Sequence, residues 1–175
     1  ATLERFGQID ILVNNAGLVL RNHISEQTEA DYDAVLGVNL KGTFLCCKRV
    51  VEEMRKRNTG AIVNIASIAA FRYTIPHVPY AASKAGIVAL TRDLAYEAGP
   101  MGIRVNAIAP GAIESPGLGT SLTGEEITEL VKAVPLGRMG QPRDIGDAVA
   151  FLVSDVAGYI TGVTLPVMGG RGIRM

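Results

Sequence analysis

The feature that most restricts the fold of this chain is the regular alternation of short apolar runs with longer helical patterns. Residues 9–13, 61–66, 103–109 and 163–167 are nearly continuous apolar runs, as expected for strands buried on both faces. Parallel neighbouring strands need a crossover connection, which is usually a helix, so this alternation indicates a parallel sheet. The sequence therefore predicts an α/β fold, in which a parallel sheet has helices on both faces.

The helical segments carry start and stop signals. Thr28 with Asp31, and Thr123 with Glu126, have the spacing of capping boxes, in which two residues satisfy each other's backbone N–H groups. Gly7 is suited to end a first helix. We predict helices over residues 1–6, 29–38, 40–57, 80–98, 124–133 and 142–153, with an interruption near Asn39.

Charge and composition argue against several classes of function. The 175 residues carry 17 basic and 17 acidic side chains, so no net field would attract nucleic acid or a membrane surface. No apolar run approaches the ~18 residues of a membrane span, and no secretory leader is visible. Cys46 and Cys47 are adjacent and lack ligand-spaced partners. We therefore expect free thiols, no metal site and a cytoplasmic location.

Tyr80 and Lys84 form the first candidate for chemistry. They are four residues apart in a predicted helix, so their side chains share one face. An isolated tyrosine has a pKa near ~10, but a neighbouring cation favours the phenolate and lowers that pKa. A general acid or base works best when its pKa is near the operating pH. Most such pairs are surface residues, so the interpretation depends on what surrounds them.

Polar or small residues follow three of the predicted strands. Asn14-Asn15-Ala16-Gly17 ends the first strand, Ser67 follows the second, and Pro110-Gly111 ends the third. In open parallel sheets ligands bind beyond the carboxyl ends of the strands. Tyr80 follows the second strand after a short loop, so we expect these groups to meet in one crevice.

Together these motifs resemble those of the short-chain dehydrogenase/reductase family, of the classical type. The matching residues are Asn14-Asn15-Ala16-Gly17, Asn39, Ser67, Tyr80-x-x-x-Lys84 and Pro110-Gly111-Ala112-Ile113-Glu114-Ser115, in that order. The resemblance covers essentially the whole chain. It implies a Rossmann-like fold and hydride transfer between NAD or NADP and a carbonyl compound or secondary alcohol. The subgroups that resemble it most are the 3-oxoacyl-carrier-protein reductases and the sugar or polyol dehydrogenases, and the choice between them stays open.

The resemblance also implies catalytic roles. Tyr80 would donate a proton to the carbonyl oxygen in reduction and accept one in oxidation. Lys84 would lower the pKa of Tyr80 and bind the nicotinamide ribose, and Ser67 would hold the substrate oxygen. The Asn39 side chain would help hold a water that links Lys84 to solvent. Without the resemblance, Ser67 is a strand-end serine and Asn39 a simple helix break.

The cofactor would contact residues at two strand ends. By resemblance, Asn15, Ala16 and Gly17 line the adenosine region, and Tyr80 and Lys84 contribute on the nicotinamide side. Pro110, Gly111 and Ile113 would meet the nicotinamide, with the Ile113 backbone at the carboxamide. Ser115 stands where the family usually has threonine, and we expect its hydroxyl to keep the contact with the cofactor. Met168 stands where the family commonly has aspartate.

The loop between Ser67 and Tyr80 is expected to touch the substrate. His77 is by default a neutral loop histidine, with a substrate contact as the alternative. Arg72 and Tyr73 lie in the same loop and either shape the pocket or have no role.

The family's opening pattern, Thr-Gly-x-x-x-Gly-x-Gly, is absent, and the Gly117-x-Gly119 and Gly170-x-Gly172 pairs do not replace it. We therefore interpret residues 1–175 as a single partial dinucleotide-binding and catalytic domain, the C-terminal two-thirds, preceded in an ordinary member by roughly 75 residues with three strands. The alternative is a non-catalytic fragment that keeps only the assembly surface. By resemblance, the helices at 40–57 and 80–98 would pair in a homodimer or homotetramer.

Overall fold

The computed structural model describes residues 1–115 and 123–172, and a parallel sheet lies at its centre. Within those ranges the strands are β1 (Ile11–Asn14), β2 (Gly60–Ile65), β3 (Ile103–Pro110) and β4 (Thr164–Val167). They pair in sequence order, and every pairing is parallel. Asn14 is opposite Asn64, and Pro110 is opposite Val167. The predicted parallel sheet is confirmed, and its neighbouring strands follow one another in chain order.

The helices also follow the predicted order. They are α1 (Thr2–Phe6), α2 (Glu29–Leu36), α3 (Gly42–Met54), α4 (Val78–Ala98), α5 (Gly124–Lys132) and α6 (Pro142–Val153). Both predicted capping boxes are present, at Thr28 and at Thr123. Gly7 ends α1 with a left-handed φ of 74°, which glycine adopts without a steric penalty.

The boundaries of α3 differ from the prediction at both ends. A π-helical turn, Gly37–Lys41, occupies the predicted interruption, so α3 begins at Gly42 rather than at residue 40. At the other end, hydrogen-bonded turns follow Met54, and Asn58 adopts a left-handed φ of 52°. The chain then enters β2 at Gly60, because the left-handed residue cannot continue a right-handed helix.

Successive residues of the central strands face opposite layers of helices. Ile62 of β2 and Val105 of β3 are buried on one face, against Cys47, Val50 and Met54 of α3 and Ala95 and Ala98 of α4. Val63 and Ile108 are buried on the other face, against Leu152 of α6. Fully burying one such side chain stabilises the fold by about 1.5–3 kcal/mol. The expectation of helices on both faces is therefore confirmed.

Three further observations bear on the sequence predictions. β1 forms one edge of the described sheet, and its Ile11 and Val13 are 48% and 40% exposed. Among the described helices, none has the length and apolar character that crossing a membrane requires. Between β3 and α5 the structure describes residues only as far as Ser115, so Gly117 and Gly119 lie outside the described residues, as does the tail from residue 173.

Candidate active site

A cleft of about 280 Å³ lies beyond the carboxyl ends of β1, β2 and β3. Of the residues predicted from sequence, Ser67, Tyr80 and Lys84 line it, together with Asn15, Gly17, Pro110, Gly111 and Ile113. Ala16 and Ser115 are exposed and are not part of its lining, and Asn39 is buried behind it. The cleft therefore brings together residues from four separate segments of the chain.

Tyr80 lies in the first turn of α4, and Pro79 is the second residue of that helix. Proline suits this position because the first helical residues have no intrahelical partner for their N–H groups. The Tyr80 hydroxyl interacts with the Ser67 side chain, and the Lys84 ammonium lies over the ring, 5.6 Å from its centroid. The phenol thus has a hydroxyl neighbour at its oxygen and a cation at its face.

Burial raises the pKa of Tyr80, and the hydrogen bond with Ser67 acts in the opposite direction. Removing a phenolate from water disfavours the charged form. The net direction differs from the lowered pKa that the sequence predicts, because desolvation outweighs the Ser67 hydrogen bond and Lys84 lies over the ring rather than at the oxygen.

Lys84 is 3% exposed, and burial lowers its pKa to about 8. Its Nζ donates to the carbonyl oxygen of Ile65 at 2.7 Å. An ammonium has three N–H donors. Among the described residues, the Ile65 carbonyl is the one acceptor that is hydrogen-bonded to the Lys84 ammonium. Lys84 therefore offers donors to a ligand with hydroxyl groups.

Ser67 lies two residues after the end of β2 and caps the short 3₁₀ helix Ile68–Ala70. Its Oγ accepts the N–H of Ala69 at 3.1 Å. Because the hydroxyl oxygen is used in this way, its proton is free to be donated towards Tyr80 or a substrate oxygen.

Asn39 lies in the π-helical turn and is completely buried. Its Oδ1 accepts the N–H of Leu18 at 2.7 Å, and its Nδ2 donates to the Leu18 carbonyl and to Ser83 Oγ. These contacts hold the segment after β1 against α4. The side chain contacts Leu18 and Ser83 rather than Lys84 directly.

Ile113 has an unusual backbone environment on the far side of the cleft. It forms a parallel bridge with Gly140, in which Gly140 donates to Ala112 and Glu114 donates to Gly140. In such a bridge the N–H and C=O of Ile113 point away from Gly140, and neither has a partner among the described residues. A donor and an acceptor side by side match a primary carboxamide.

These features fit the nicotinamide half of NAD or NADP. Ile113 offers a donor and an acceptor, and Lys84 offers N–H groups. At Gly17, an added Cβ would lie 3.5 Å from Lys84 Nζ, so the absence of a side chain keeps the approach to the ammonium open.

His77 precedes α4 and is 5% exposed. Its ring stacks on that of Tyr80, with a centroid distance of 5.1 Å and an interplanar angle of 22°. Its Nε2 is hydrogen-bonded to Thr74 Oγ1 at 3.0 Å. Burial lowers the pKa of His77 and a hydrogen bond to the Ile75 backbone opposes this, so the imidazole is neutral at pH 7.

A buried polar network below the cleft was not predicted. Asn64 of β2 accepts from Asn14 Nδ2 at 2.8 Å and donates to Thr91 of α4 at 2.9 Å. Cys47 of α3 joins it, 3.3 Å from Asn14 Nδ2, and burial raises the pKa of its thiol to about 11. The available signal was polar residues inside otherwise apolar strands.

Two other contributors to the cleft also escaped the sequence analysis. The Ile65 carbonyl binds Lys84, and the Leu18 backbone binds Asn39. Both act through backbone atoms, so their side chains carry no signal of this role.

Comparison with known proteins gives an independent view of the whole chain. A family profile described as Enoyl-(Acyl carrier protein) reductase matches residues 1–171. The chain is 44% identical over 172 residues to subunit BbsD of (2S)-[(R)-hydroxy(phenyl)methyl]succinyl-CoA dehydrogenase from Thauera aromatica, covering 98% of this chain and 68% of that protein. It is 40% identical over 168 residues to the 3-oxoacyl-[acyl-carrier-protein] reductase FabG of Staphylococcus epidermidis, covering 96% of this chain and 68% of FabG.

The fold matches solved structures equally well. One is a crystal structure of a putative 2-deoxy-d-gluconate 3-dehydrogenase from Agrobacterium tumefaciens with bound NADP, with a TM-score of 0.90 and 40% identity. The match covers 94% of this chain and 68% of that one. The chain thus spans about two-thirds of the length of each of these relatives.

Proposed function

This chain belongs to the short-chain dehydrogenase/reductase family, and from that premise we propose that the cleft around Tyr80 is where hydride moves between NAD(H) or NADP(H) and a carbonyl compound or secondary alcohol. Members of the family are NAD(P)-dependent oxidoreductases, and the protein is one of them. This location of the reaction is supported by one observation, namely that Tyr80, Ser67 and Lys84 lie together in one cleft.

In this proposal Tyr80 is the general acid in reduction and the general base in oxidation. Ser67 donates to the substrate oxygen and stabilises the charge that develops there. A buried Tyr80 keeps its proton at neutral pH, as an acid must before it reacts. Without substrate, the hydrogen bond from the Ser67 hydroxyl lowers the pKa of Tyr80, and its single proton turns to the substrate oxygen when substrate binds.

Lys84 and the loop after β3 hold the cofactor. When bound, the nicotinamide supplies or accepts the hydride. We assign its ribose to Lys84 and its carboxamide to the Ile113 backbone, with Pro110 and Gly111 at the ring. Asn15, Ala16 and Gly17 are assigned to the adenosine side, and Ser115 to the nicotinamide side, as the family resemblance implies.

Asn39 is a supporting residue in this proposal. Its bonds to Leu18 and Ser83 fix the wall of the cleft beside Gly17 and Lys84. A water that links Lys84 to solvent, as the resemblance implies, is part of the same proposal.

We further infer that a second copy of the chain covers the exposed face of α3 and α4. Two grooves, of about 820 and 440 Å³, meet on this face at Phe44 and Leu90. Phe44 and Leu45 are each 51% exposed. Such an apolar surface favours a homodimer or homotetramer. The exposed free thiol of Cys46 supports a reducing, cytoplasmic location.

The substrate lies within the range of the relatives, from acyl thioesters to sugar-like alcohols. The test is cofactor oxidation by the purified protein with 3-oxoacyl thioesters, simple ketones and oxidised sugars, using NADH and NADPH in turn. Tyr80→Phe should lower kcat by about 10²–10⁴ because general acid catalysis is lost.

Tyr159→Phe is the matched control, because Tyr159 is fully exposed. It should keep the wild-type kcat. A Tyr80→Phe protein with the wild-type kcat would reject Tyr80 as the acid. A wild-type protein that assembles but neither binds cofactor nor turns over substrate would support the alternative of an assembly fragment.

A further inference from the structure

We propose that Arg72 and Arg171 together bind an anionic group, a carboxylate or a phosphate, on the substrate that reacts at Tyr80. This proposal rests on the function proposed above and narrows its substrate class. It concerns the mouth of the site rather than the reacting atoms.

The two arginines come from distant parts of the chain, and the Arg72 guanidinium reaches the backbone at Gly172, the residue after Arg171. Gly172 has a φ of 90°, which side chains rarely tolerate, and an added Cβ there would overlap Nη1 of Arg72. The backbone directly after Arg171 therefore lies against the Arg72 guanidinium. The absence of a side chain at residue 172 permits this approach.

Each arginine is one turn away from a residue that neighbours the cleft lining. The Arg72 N–H donates to the Ile68 carbonyl at 3.2 Å, in the turn that directly follows Ser67. The Arg171 N–H donates to the Met168 carbonyl at 3.1 Å, and Met168 packs against Gly111. The pair thus joins the loop on the Ser67 side of the cleft to the tail on the Gly111 side.

A largely apolar cavity, whose lining also includes the ion pair of Arg138 and Asp144, lies beside this tail. It has a volume of about 210 Å³ and includes Leu136, Met168 and Gly169 in its lining. It shares Ala112 and Ile113 with the cleft. A substrate could place an apolar segment in this cavity and an anionic group beyond it.

Neither arginine has an acidic partner in the part of the chain that the structure describes. Within residues 1–115 and 123–172, neither Arg72 nor Arg171 forms an ion pair or a side-chain hydrogen bond. Arg21 and Arg138, by contrast, pair with Glu126 and Asp144. Burial, with the repulsion of Arg72, lowers the pKa of Arg171. Two guanidinium groups repel each other when alone and attract a shared carboxylate or phosphate through charge-assisted hydrogen bonds.

The first test measures anion binding without turnover. Glutarate, its dimethyl ester and inorganic phosphate are titrated into the purified protein, and binding is followed by calorimetry. Glutarate or phosphate should bind the wild type, and the ester should not. Arg72→Gln and Arg171→Gln should each weaken anion binding about 10- to 100-fold, the range for one or more bonds to a charged group. Equal binding by the wild type and both variants would overturn the proposal.

The second test uses oxo-carboxylates of increasing chain length, each compared with its methyl ester, and the corresponding oxoalkyl phosphates. The wild type should have a higher kcat/KM for one anionic series, and the better series identifies the anion. Each variant should lose that preference through KM for the oxo substrate. A variant that raises KM for NADH or NADPH instead would overturn the proposal, because the anion would then belong to the cofactor.

Arg143→Gln is the control, since Arg143 is exposed and distant in sequence from both segments. It should keep the wild-type anion affinity and preference. Anion binding that persists in a protein without turnover would refute the proposed function but support this site. Turnover that shows no preference for acid over ester, together with no anion binding, would refute the site but support the function.

A charge reversal separates binding from folding. Arg72→Glu places a carboxylate beside Arg171 and replaces a repulsion by an attraction. We expect a Tm no lower than that of the wild type together with loss of glutarate binding. Glutarate binding that survives this reversal would contradict the proposal.

Discussion

Burial moves the pKa values of Tyr80 and Lys84 in opposite directions. It raises that of the phenol and lowers that of the ammonium to about 8. Both shifts have one cause, since each charged form loses hydration in the protein. A hydrogen-bond donor at the phenol oxygen counters the rise in the pKa of Tyr80, and the Ser67 hydroxyl already has this effect. The reactivity of Tyr80 therefore depends on its hydrogen-bond partners as well as on Lys84.

At His77, burial makes the stability of the fold depend on pH. The folded state holds the imidazole neutral to a lower pH than the unfolded chain does, whose histidine has a pKa near ~6.5. As the pH falls below ~6.5, the unfolded state binds protons first, so the free energy of unfolding decreases. His77→Phe should remove this part of the decrease and keep the ring stacked on Tyr80.

Urea unfolding at about pH 7.5 and about pH 5.5 measures this effect. The comparison uses the difference between the two pH values, because the substitution also removes the bond to Thr74. If wild type and His77→Phe lose the same free energy on acidification, His77 does not carry the pH dependence.

At the scale of a single element, the π-helical turn Gly37–Lys41 ties two parts of the cleft wall together. It directs Asn39 inward, where the side-chain amide forms hydrogen bonds with both backbone groups of Leu18 and with the Ser83 hydroxyl. A π-helical turn is rare in regular helices and often occurs at functional sites. The interruption thus has a defined structural consequence.

Asn39→Ala should destabilise the fold by about 1–3 kcal/mol for each buried group left without a partner. Hydrogen exchange at the Leu18 amide should accelerate in the variant. Asn22→Ala, at an exposed position, should change the free energy of unfolding by less than about 0.5 kcal/mol. Unchanged Leu18 exchange in Asn39→Ala would show that the segment after β1 is held by other contacts.

At the scale of the whole molecule, the exposed face of α3 and α4 leads to a prediction about the oligomeric state. If a second copy covers the grooves that meet at Phe44, then Phe44→Glu buries a charge in the interface and should dissociate the assembly. Light scattering or sedimentation at micromolar concentration measures the mass. Phe6→Glu, on α1 and 66% exposed, should leave the mass unchanged. A monomeric wild type would contradict the proposed assembly.

The order of strands and helices and the two capping boxes followed from the sequence alone. These features depend on apolar periodicity and on residues three or four positions apart, so local sequence carries the information. Ser67, Tyr80 and Lys84 were also proposed from the sequence, because the motifs from Asn14 to Ser115 lie in a fixed order along the chain. The backbone contributions of Leu18 and Ile65 were not. Boundaries were less accurate where a local turn intervened, as at Gly37 and Asn58.

The tertiary structure decided what those residues experience. Whether the pKa of Tyr80 rises or falls depends on its desolvation and on where Lys84 lies relative to its ring, and neither can be derived from their spacing. The partners of Asn39 and the meeting of Arg72 with the turn after Met168 join segments far apart in the chain. Such contacts arise only when the helices and the sheet pack together, because burial and electrostatic interaction depend on distances in space rather than along the sequence.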